Sequence, residues 1–570
     1  MFQQVLNPLG NLGLTVLAAL IPIIALLVML AVFRITAWLA TLIGSIITLI
    51  VAIALWRMPV SNGITAYLIG SANGIWAVDW ITFWGLVIFN TLKLTGLFET
   101  FKNWLIEQAT ADVRVQAILL AWSLGALLEG LVGFGYPWAV IAPILVALGV
   151  IELDAIRVAA IANNAPVSYG ALGAPIIALA AVTGLPLLAL SASVGKIVAI
   201  LALLPPWVLI YLVAGRRGFR EGWPLALVGS LAYILGQFPT SQFLGPYLPD
   251  IIGALVSFGA LLLLLRVWRP KVVLGYGGVE LSEEEQKARM AASTLTAVES
   301  GTPVGAGAAV GGGGGSGEGP GERENPLPRH SVFESLLPFL ILIVVVVLWT
   351  GPWSPLPKVI LAKFAISAAQ PPTISHKLAS AAFSFTPFIA GTSILVSWLI
   401  MLIFIRPSGA VLGQVFRDTF HQMWGALLVG VFIFGLAFVF NYSGMATSLA
   451  YGFSKVGPAF ILLAPILGWI GVALSGSNTS TNSLFGLVQV QVGRLLGFPV
   501  LILPSLNSVG AEVGKPVAPQ TASVGVSTTR FVRNEGQVIR HNMGWTLVLL
   551  AWLILVGLLY YFLLPGAMRL

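Results

Sequence analysis

Glu129 lies inside an apolar run, Val115 to Val150, that is long enough to cross a bilayer. Around it stand Gly125, Gly130, Gly133, Phe134, Gly135 and Pro137. A carboxylate at mid-membrane costs about 2.5–3.5 kcal/mol on insertion scales. Glycine and proline weaken the helix that would carry it. A plain anchor has no use for either, so the stretch reads as half of a binding site. Three further spans break in a similar way. Ala155–Val182 is interrupted by Asn163, Asn164, Pro166, Ser168, Gly170, Gly173 and Pro175. Ala459–Gly497 breaks at the polar run Ser475–Asn482, and Val500–Val526 at Asn507–Gln520, which holds Glu512, Lys515, Pro516 and Pro519. Such breaks are tolerated at membrane depth where backbone lines a polar cavity.

A broken helix exposes N–H donors at one end and carbonyls at the other, and the donor end attracts a carboxylate. Ser477, Asn478, Thr479 and Ser480 add hydroxyls and amides without net charge. That suits a small anion that must bind and then leave. Asn163, Asn164 and Ser168 can form the opposite wall. Lys515 can meet the anion directly or pair with a buried acid. Glu129 and Glu512 are the acids in the breaks, and desolvation favours the protonated form of a carboxyl, so either can carry a proton near neutral pH. Plainer roles stand beside these. Glu129 can be a structural carboxyl held by amides of a neighbouring break, Glu512 and Lys515 can be a mutual pair, and the Ser/Thr/Asn run can be a helix-packing seam. Asp79, Lys93 and Lys196 read as interfacial or snorkelling residues.

The elements that position these residues are membrane helices. Of 570 residues, 58% are hydrophobic and only 9% charged, against about a quarter charged in soluble domains; mean hydropathy is +0.96. Apolar runs of about 20 residues indicate helices, not the short alternating segments of a barrel. The expected fold class is all-α and polytopic. Spans are expected at Leu12–Phe33, Ile35–Trp56, Ile64–Phe98, Leu187–Ala214, Gly222–Phe238, Leu248–Leu265, Val332–Leu348, Ser384–Ile405, Gln414–Phe440 and Thr546–Leu564, besides the four broken ones. Glu99–Arg114 reads as a loop or surface helix, Gly351–Thr373 as an external loop and Ser443–Lys455 as interfacial. Basic loops at Arg216, Arg217 and Arg220 and at Arg266, Arg269 and Lys271 face the cytoplasm by the positive-inside rule, and Arg530, Arg533 and Arg540 make a final basic loop. The net charge of +8 then sets orientation and is not a nucleic-acid surface.

The hydrophilic Gly275–His330 segment, with its Gly311–Gly315 tract, divides the chain into an N-terminal membrane half (1–274), a disordered or partly helical cytoplasmic linker (275–330) and a C-terminal membrane half (331–570). Each half carries two broken spans in succession. Paired interruptions point to an inverted-repeat secondary transporter with its site at the repeat interface. With no cysteine and four scattered histidines, neither a metal nor another cofactor is expected. The N-terminus has no basic region followed by a cleavage site, so the first helix is expected to act as an uncleaved targeting signal.

The motifs Asn7-Pro-Leu-Gly-Asn-Leu-Gly13, Leu128-Glu-Gly-Leu-Val-Gly-Phe-Gly135, Ala162-Asn-Asn-Ala-Pro-Val167, Gly173-Ala-Pro-Ile176, Glu221-Gly-Trp-Pro224, Asn441-Tyr-Ser-Gly444, Gly476-Ser-Asn-Thr-Ser480, Gly514-Lys515 and Pro519-Gln520 together resemble the L-lactate permease family, over nearly the whole chain. The resemblance implies import of lactate, often also glycolate, with a proton across the inner membrane. It also implies kinship with a wider ion-transporter superfamily of paired hairpins and Ser-Asn-Thr motifs, thought to move as elevators. Glu512 stands where that pattern leads one to expect a small or apolar residue, and Tyr136 and Trp138 are bulkier than expected after Gly-Phe-Gly.

The expected partners are therefore a small monocarboxylate, protons and the lipid bilayer, and a homodimer is compatible with such a chain. Gly133, Phe134, Gly135, Asn163, Asn164, Ser168, Ser477, Asn478, Thr479, Ser480, Lys515 and Gln520 are the candidate substrate contacts, with Glu129 and Glu512 as candidate proton sites. The rival reading within transport is a sodium-coupled carrier, with unwound carbonyls as ligands. An intramembrane enzyme lacks a Cys, a His cluster and a metal set. A channel would be excluded by saturable uphill accumulation.

Overall fold

The computed structural model describes residues 2–133, 135–289, 330–372, 374, 378–527, 529, 531 and 534–570. Readings that fall on Phe134, His376, Arg530, Arg533 and 290–329 lie outside these residues. Among the described residues, ten helices are long and apolar enough to cross a membrane. Glu152–Ala162 with Val167–Thr183, bent by 66°, would make an eleventh. Helices satisfy their backbone internally, which is what hydrocarbon requires. Side chains close some of their ends: Asn11 accepts from Leu14 N at 3.1 Å, and Ser331 with Glu334 forms a capping box.

The helices pack around one continuous core. Gly409–Ser443 lies against Ala37–Ala54 and against the long Val60–Leu94 stretch, with Ala390–Ile405 beside it. Leu187–Leu201, Pro205–Phe243, Pro249–Val267 and Glu535–Phe562 surround the broken spans. Trp80–Leu94 touches Gly170–Thr183, and Gly409–Ser443 touches Asn478–Leu496.

Several expectations need correcting. The fold is mostly helical but not all-α: β1 (Phe2–Gln3), β2 (Ala362–Ala369) and β3 (Ala379–Phe385) form one small sheet. β2 and β3 pair antiparallel with Phe364 opposite Phe383, and β1 joins β2 in parallel with Phe2 opposite Ala368. The stretch read as an external loop at Gly351–Thr373 thus holds a strand, and Ser384 belongs to β3, so its span starts only at Ala390. Arg216, Arg217 and Arg220 are not in a loop. They lie in the helix Pro205–Phe243, which kinks at Gly215 (φ +59°) and resumes. Ser443–Lys455 contains the helix Met445–Ser454, whose first six residues are buried.

Asp79 is buried. It ends a π-helical turn, Gly74–Asp79, and its carboxyl rests on Gly430, where a Cβ would lie 2.6 Å from Cγ. Lys196 donates to Ala567 O at 2.7 Å and is a helix-end tie. Glu99–Arg114 overlaps the helix Leu97–Gln108 and ends in a buried ion pair, Arg114 to Asp112 at 2.6 Å. Arg114 also donates to Val272 O at 2.8 Å, and Asp112 accepts from Leu274 N at 3.1 Å. The segment from 275 therefore begins in an ordered state, and Arg289 reaches Leu148 O at 3.2 Å.

Candidate functional site

Each break has a local cause. In the first, Gly133 (φ +69°) and Gly135 (φ +77°) take left-handed backbone between Gly125–Leu131 and Tyr136–Ala147. The second runs from Asn163 through a 3-10 turn, Val167–Tyr169, to left-handed Ala171 (φ +47°), Leu172 (φ +57°) and Gly173 (φ +82°). Left-handed alanine and leucine cost about 1–2 kcal/mol each, strain that persists only where surrounding structure enforces it. The third turns at Gly476 (φ +73°) between Phe460–Ser475 and Asn478–Leu496. The fourth follows Ile502–Gly514 as a 3-10 turn, Lys515–Val517, before Pro519–Val526.

The four breaks converge. Gly133 faces Ala171, Gly135 faces Thr521, and Gly476 faces Gln520. The charged centre lies between them. Lys515 Nζ donates to Glu129 Oε1 at 2.5 Å, and Asn163 Nδ2 donates to Glu129 Oε2 at 3.1 Å. Gly170 admits this carboxylate, since a Cβ there would sit 2.6 Å from Oε1. Beside it, Ser168 donates to Glu512 Oε2 through both its backbone N–H, at 3.2 Å, and its hydroxyl. Ser508 links these groups to the third break. Its Oγ lies 3.4 Å from Ser168 Oγ and accepts from Asn482 Nδ2 at 3.0 Å, while its carbonyl accepts from Asn478 Nδ2 at 3.2 Å. Asn482 also donates to Pro175 O at 3.0 Å.

Lys515 therefore pairs with Glu129 and not with Glu512. Ser477 caps its helix by accepting from Ser480 N at 3.2 Å. The other N–H groups of that first turn have no intrahelical partner by construction. Thr479 is half-buried, with its carbonyl accepting from Ser483 Oγ at 2.9 Å. Asn164 is fully buried, and both ends of its amide lack a protein partner. So do Asn163 Oδ1, Asn478 Oδ1 and Glu512 Oε1. A buried polar atom left without a partner costs about 1–3 kcal/mol, and such atoms concentrate at functional sites. The centre is closed to solvent: Glu129 is 1% exposed, Glu512 0% and Lys515 6%.

The bulky pair beside the first break does not reach this centre in the contacts observed. Tyr136 packs edge-on against Phe89, ring centroids 4.9 Å apart, and Trp138 is buried against Gly525.

One acid in this region escaped the sequence reading. Asp250, in the first turn of Pro249–Val267, is buried and accepts from Tyr233 OH at 2.8 Å. It interacts electrostatically with Glu129, Lys515 and Glu512. The available signal was an acid directly after proline at the head of an apolar run, a pattern shared with ordinary helix starts.

Gly476 offers a test of the convergence. An alanine there would hold φ +73° and put its Cβ 2.7 Å from Gln520 Cβ. Gly476→Ala is expected to cost about 1–2 kcal/mol, read as a lower melting temperature, and to impair uptake. A variant melting like the parent would show that the close approach is not required.

Broken helices meeting at a buried, partly unpaired polar centre, in a chain of membrane-length helices, define a multi-pass membrane permease, a transporter and not an enzyme. The sequence model of the L-lactate permease family matches residues 15–564, and the chain belongs to that family. It is 34% identical to the glycolate permease GlcA of Escherichia coli K12, over 99% of each chain. It is 30% identical to the L-lactate permease of the same strain over 96% of each chain, and 31% identical to that of Bacillus subtilis 168 over 98% of each.

Proposed function

We propose that the protein carries L-lactate, glycolate or a related small monocarboxylate together with a proton across the cytoplasmic membrane, with the linker on the cytoplasmic side. The observation that carries this reading is the Lys515–Glu129 ion pair at the meeting point of four breaks. Kinship with lactate and glycolate permeases supports the substrate class. The substrate carboxylate takes Glu129's place at Lys515. Donors of the Ser477–Ser480 turn and the amides of Asn163, Asn164 and Asn478 bind its remaining oxygens, while Gly133, Gly135, Ser168 and Gln520 shape the walls.

Charge balance supplies the coupling. One ammonium faces three buried carboxyls, Glu129, Asp250 and Glu512, and an unbalanced buried charge costs several kcal/mol. When the substrate claims Lys515, Glu129 loses its only cation and must take a proton. One monocarboxylate then travels with one proton, and the cycle is electroneutral. Glu512, held by Ser168, is the second proton site.

The gathering of the four breaks at one centre supports an elevator motion, and the succession of two breaks per half supports an inverted repeat. In proteoliposomes, an inward proton gradient is expected to drive accumulation of labelled L-lactate or glycolate without an imposed potential, each pH unit supplying about 1.4 kcal/mol. Accumulation that requires sodium and ignores pH would overturn proton coupling.

A further inference from the structure

Asp250 is a carboxyl for which charge balance alone gives no task. It is 1% exposed, and while Tyr233 holds Oδ1, Oδ2 meets no protein donor. Its Cβ backs onto Gly130, the residue after Glu129: a Cβ at Gly130 would lie 2.8 Å from it. No larger residue fits there, so Asp250 packs directly on the helical turn that carries Glu129. Tyr233, from Pro205–Phe243, donates to it, and it interacts electrostatically with Glu129 and Lys515, with Glu512 of the helix Ile502–Gly514 and with Tyr169 of the second break. One turn along from Tyr233, Gln237 is fully buried with neither end of its amide paired to protein. A residue that merely capped its helix would not need an unpaired oxygen in a fully buried polar chamber.

We propose that Asp250 is a proton-exchange carboxyl of the transport site, taking a proton from water on the entry side and passing it to Glu129 when the pair opens, and receiving the proton that Glu129 gives up when it closes on Lys515. This rests on the transport reading above. The step balances within the protein: an O–H bond breaks at Glu129 as one forms at Asp250, and Glu129, now anionic, regains its ammonium partner. Asp250 then releases the proton to water on the side where the substrate leaves. Glu129 thus senses the substrate while Asp250 links it to the aqueous proton pool.

The test separates two modes of flux in proteoliposomes. Exchange of labelled for unlabelled substrate needs no net proton movement, whereas accumulation under a proton gradient does. Asp250→Asn keeps the shape and an acceptor for Tyr233. It is expected to lower gradient-driven accumulation by at least about 10-fold, in the range of lost proton-transfer groups, while exchange falls far less. Asp250→Glu should recover part of the accumulation. Full accumulation by Asp250→Asn, or equal loss of both modes, overturns the assignment, the second outcome marking a structural role. If Asp250→Asn does not reach the membrane, Tyr233→Phe decides. Removing the hydroxyl is expected to displace the pH of half-maximal accumulation by about half a unit, and an undisplaced profile overturns the proposal. A parent protein that accumulates nothing under a proton gradient brings down the transport reading itself, and that result is read independently of any variant.

Discussion

Lys515→Ala is expected to raise the half-saturation concentration for the monocarboxylate by about 10- to 100-fold, the equivalent of one charge-assisted hydrogen bond. The lysine opens a 3-10 turn at the fourth break and is 6% exposed, so water does not substitute for it easily. Its removal also strands Glu129, whose remaining donor is Asn163 at 3.1 Å. Breaking a buried pair from one side costs about 3–5 kcal/mol unless the survivor neutralises. A second substitution separates folding from binding. Lys515→Met with Glu129→Gln leaves no buried charge at that spot and should restore the melting temperature without restoring affinity. An unchanged half-saturation concentration in Lys515→Ala would leave the lysine a purely structural partner of Glu129. Arginine is not a conservative control, because its planar fork and larger volume do not fit a point-charge contact.

How much of this centre could be read from the chain depends on the range of the signal. The breaks were legible because their causes are local. Gly133, Gly135, Gly173 and Gly476 do adopt left-handed backbone, and Asn163 and Ser477 do stand at helix ends. The partnerships were not legible, because they are set by packing between distant segments. Lys515 lies three residues from Glu512, a spacing that suggests a pair on a continuous helix. The helix ends at Gly514, however, and the lysine reaches Glu129 across 386 residues of sequence. Asp250 shows the opposite failure. Its local pattern has an adequate explanation as a helix start, and only the approach of Gly130 and Tyr233 makes it part of the centre. The sheet was hidden for a related reason. β2 and β3 are rich in alanine and serine, which carry little strand preference, and their pairing depends on each other. The expectation attached to Tyr136 and Trp138 followed from sequence adjacency to the break, whereas the helix Tyr136–Ala147 turns both rings toward Phe89 and Gly525.

Glu129→Gln is expected to abolish accumulation under a proton gradient, by about 100-fold or more, while leaving a protein that binds the substrate at least as tightly as the parent. The amide is close in shape to the carboxyl, and its one oxygen can still accept from Lys515, while the contact with Asn163 is given up. What it cannot do is bind and release a proton. In the parent, the substrate must displace an anion from Lys515, and that anion must be protonated as it leaves. Binding should therefore weaken as pH rises, approaching tenfold per pH unit, or about 1.4 kcal/mol, once the proton is scarce. In the variant no anion competes and no proton is required, so the binding curve should be flat over the same range. The combination of tight, pH-independent binding with no accumulation separates a proton carrier from a structural carboxyl. Loss of the structural role alone would weaken binding and leave its pH dependence in place. Normal accumulation by Glu129→Gln would refute the role outright, and the same measurement with Glu512→Gln shows whether the acid held by Ser168 shares the task.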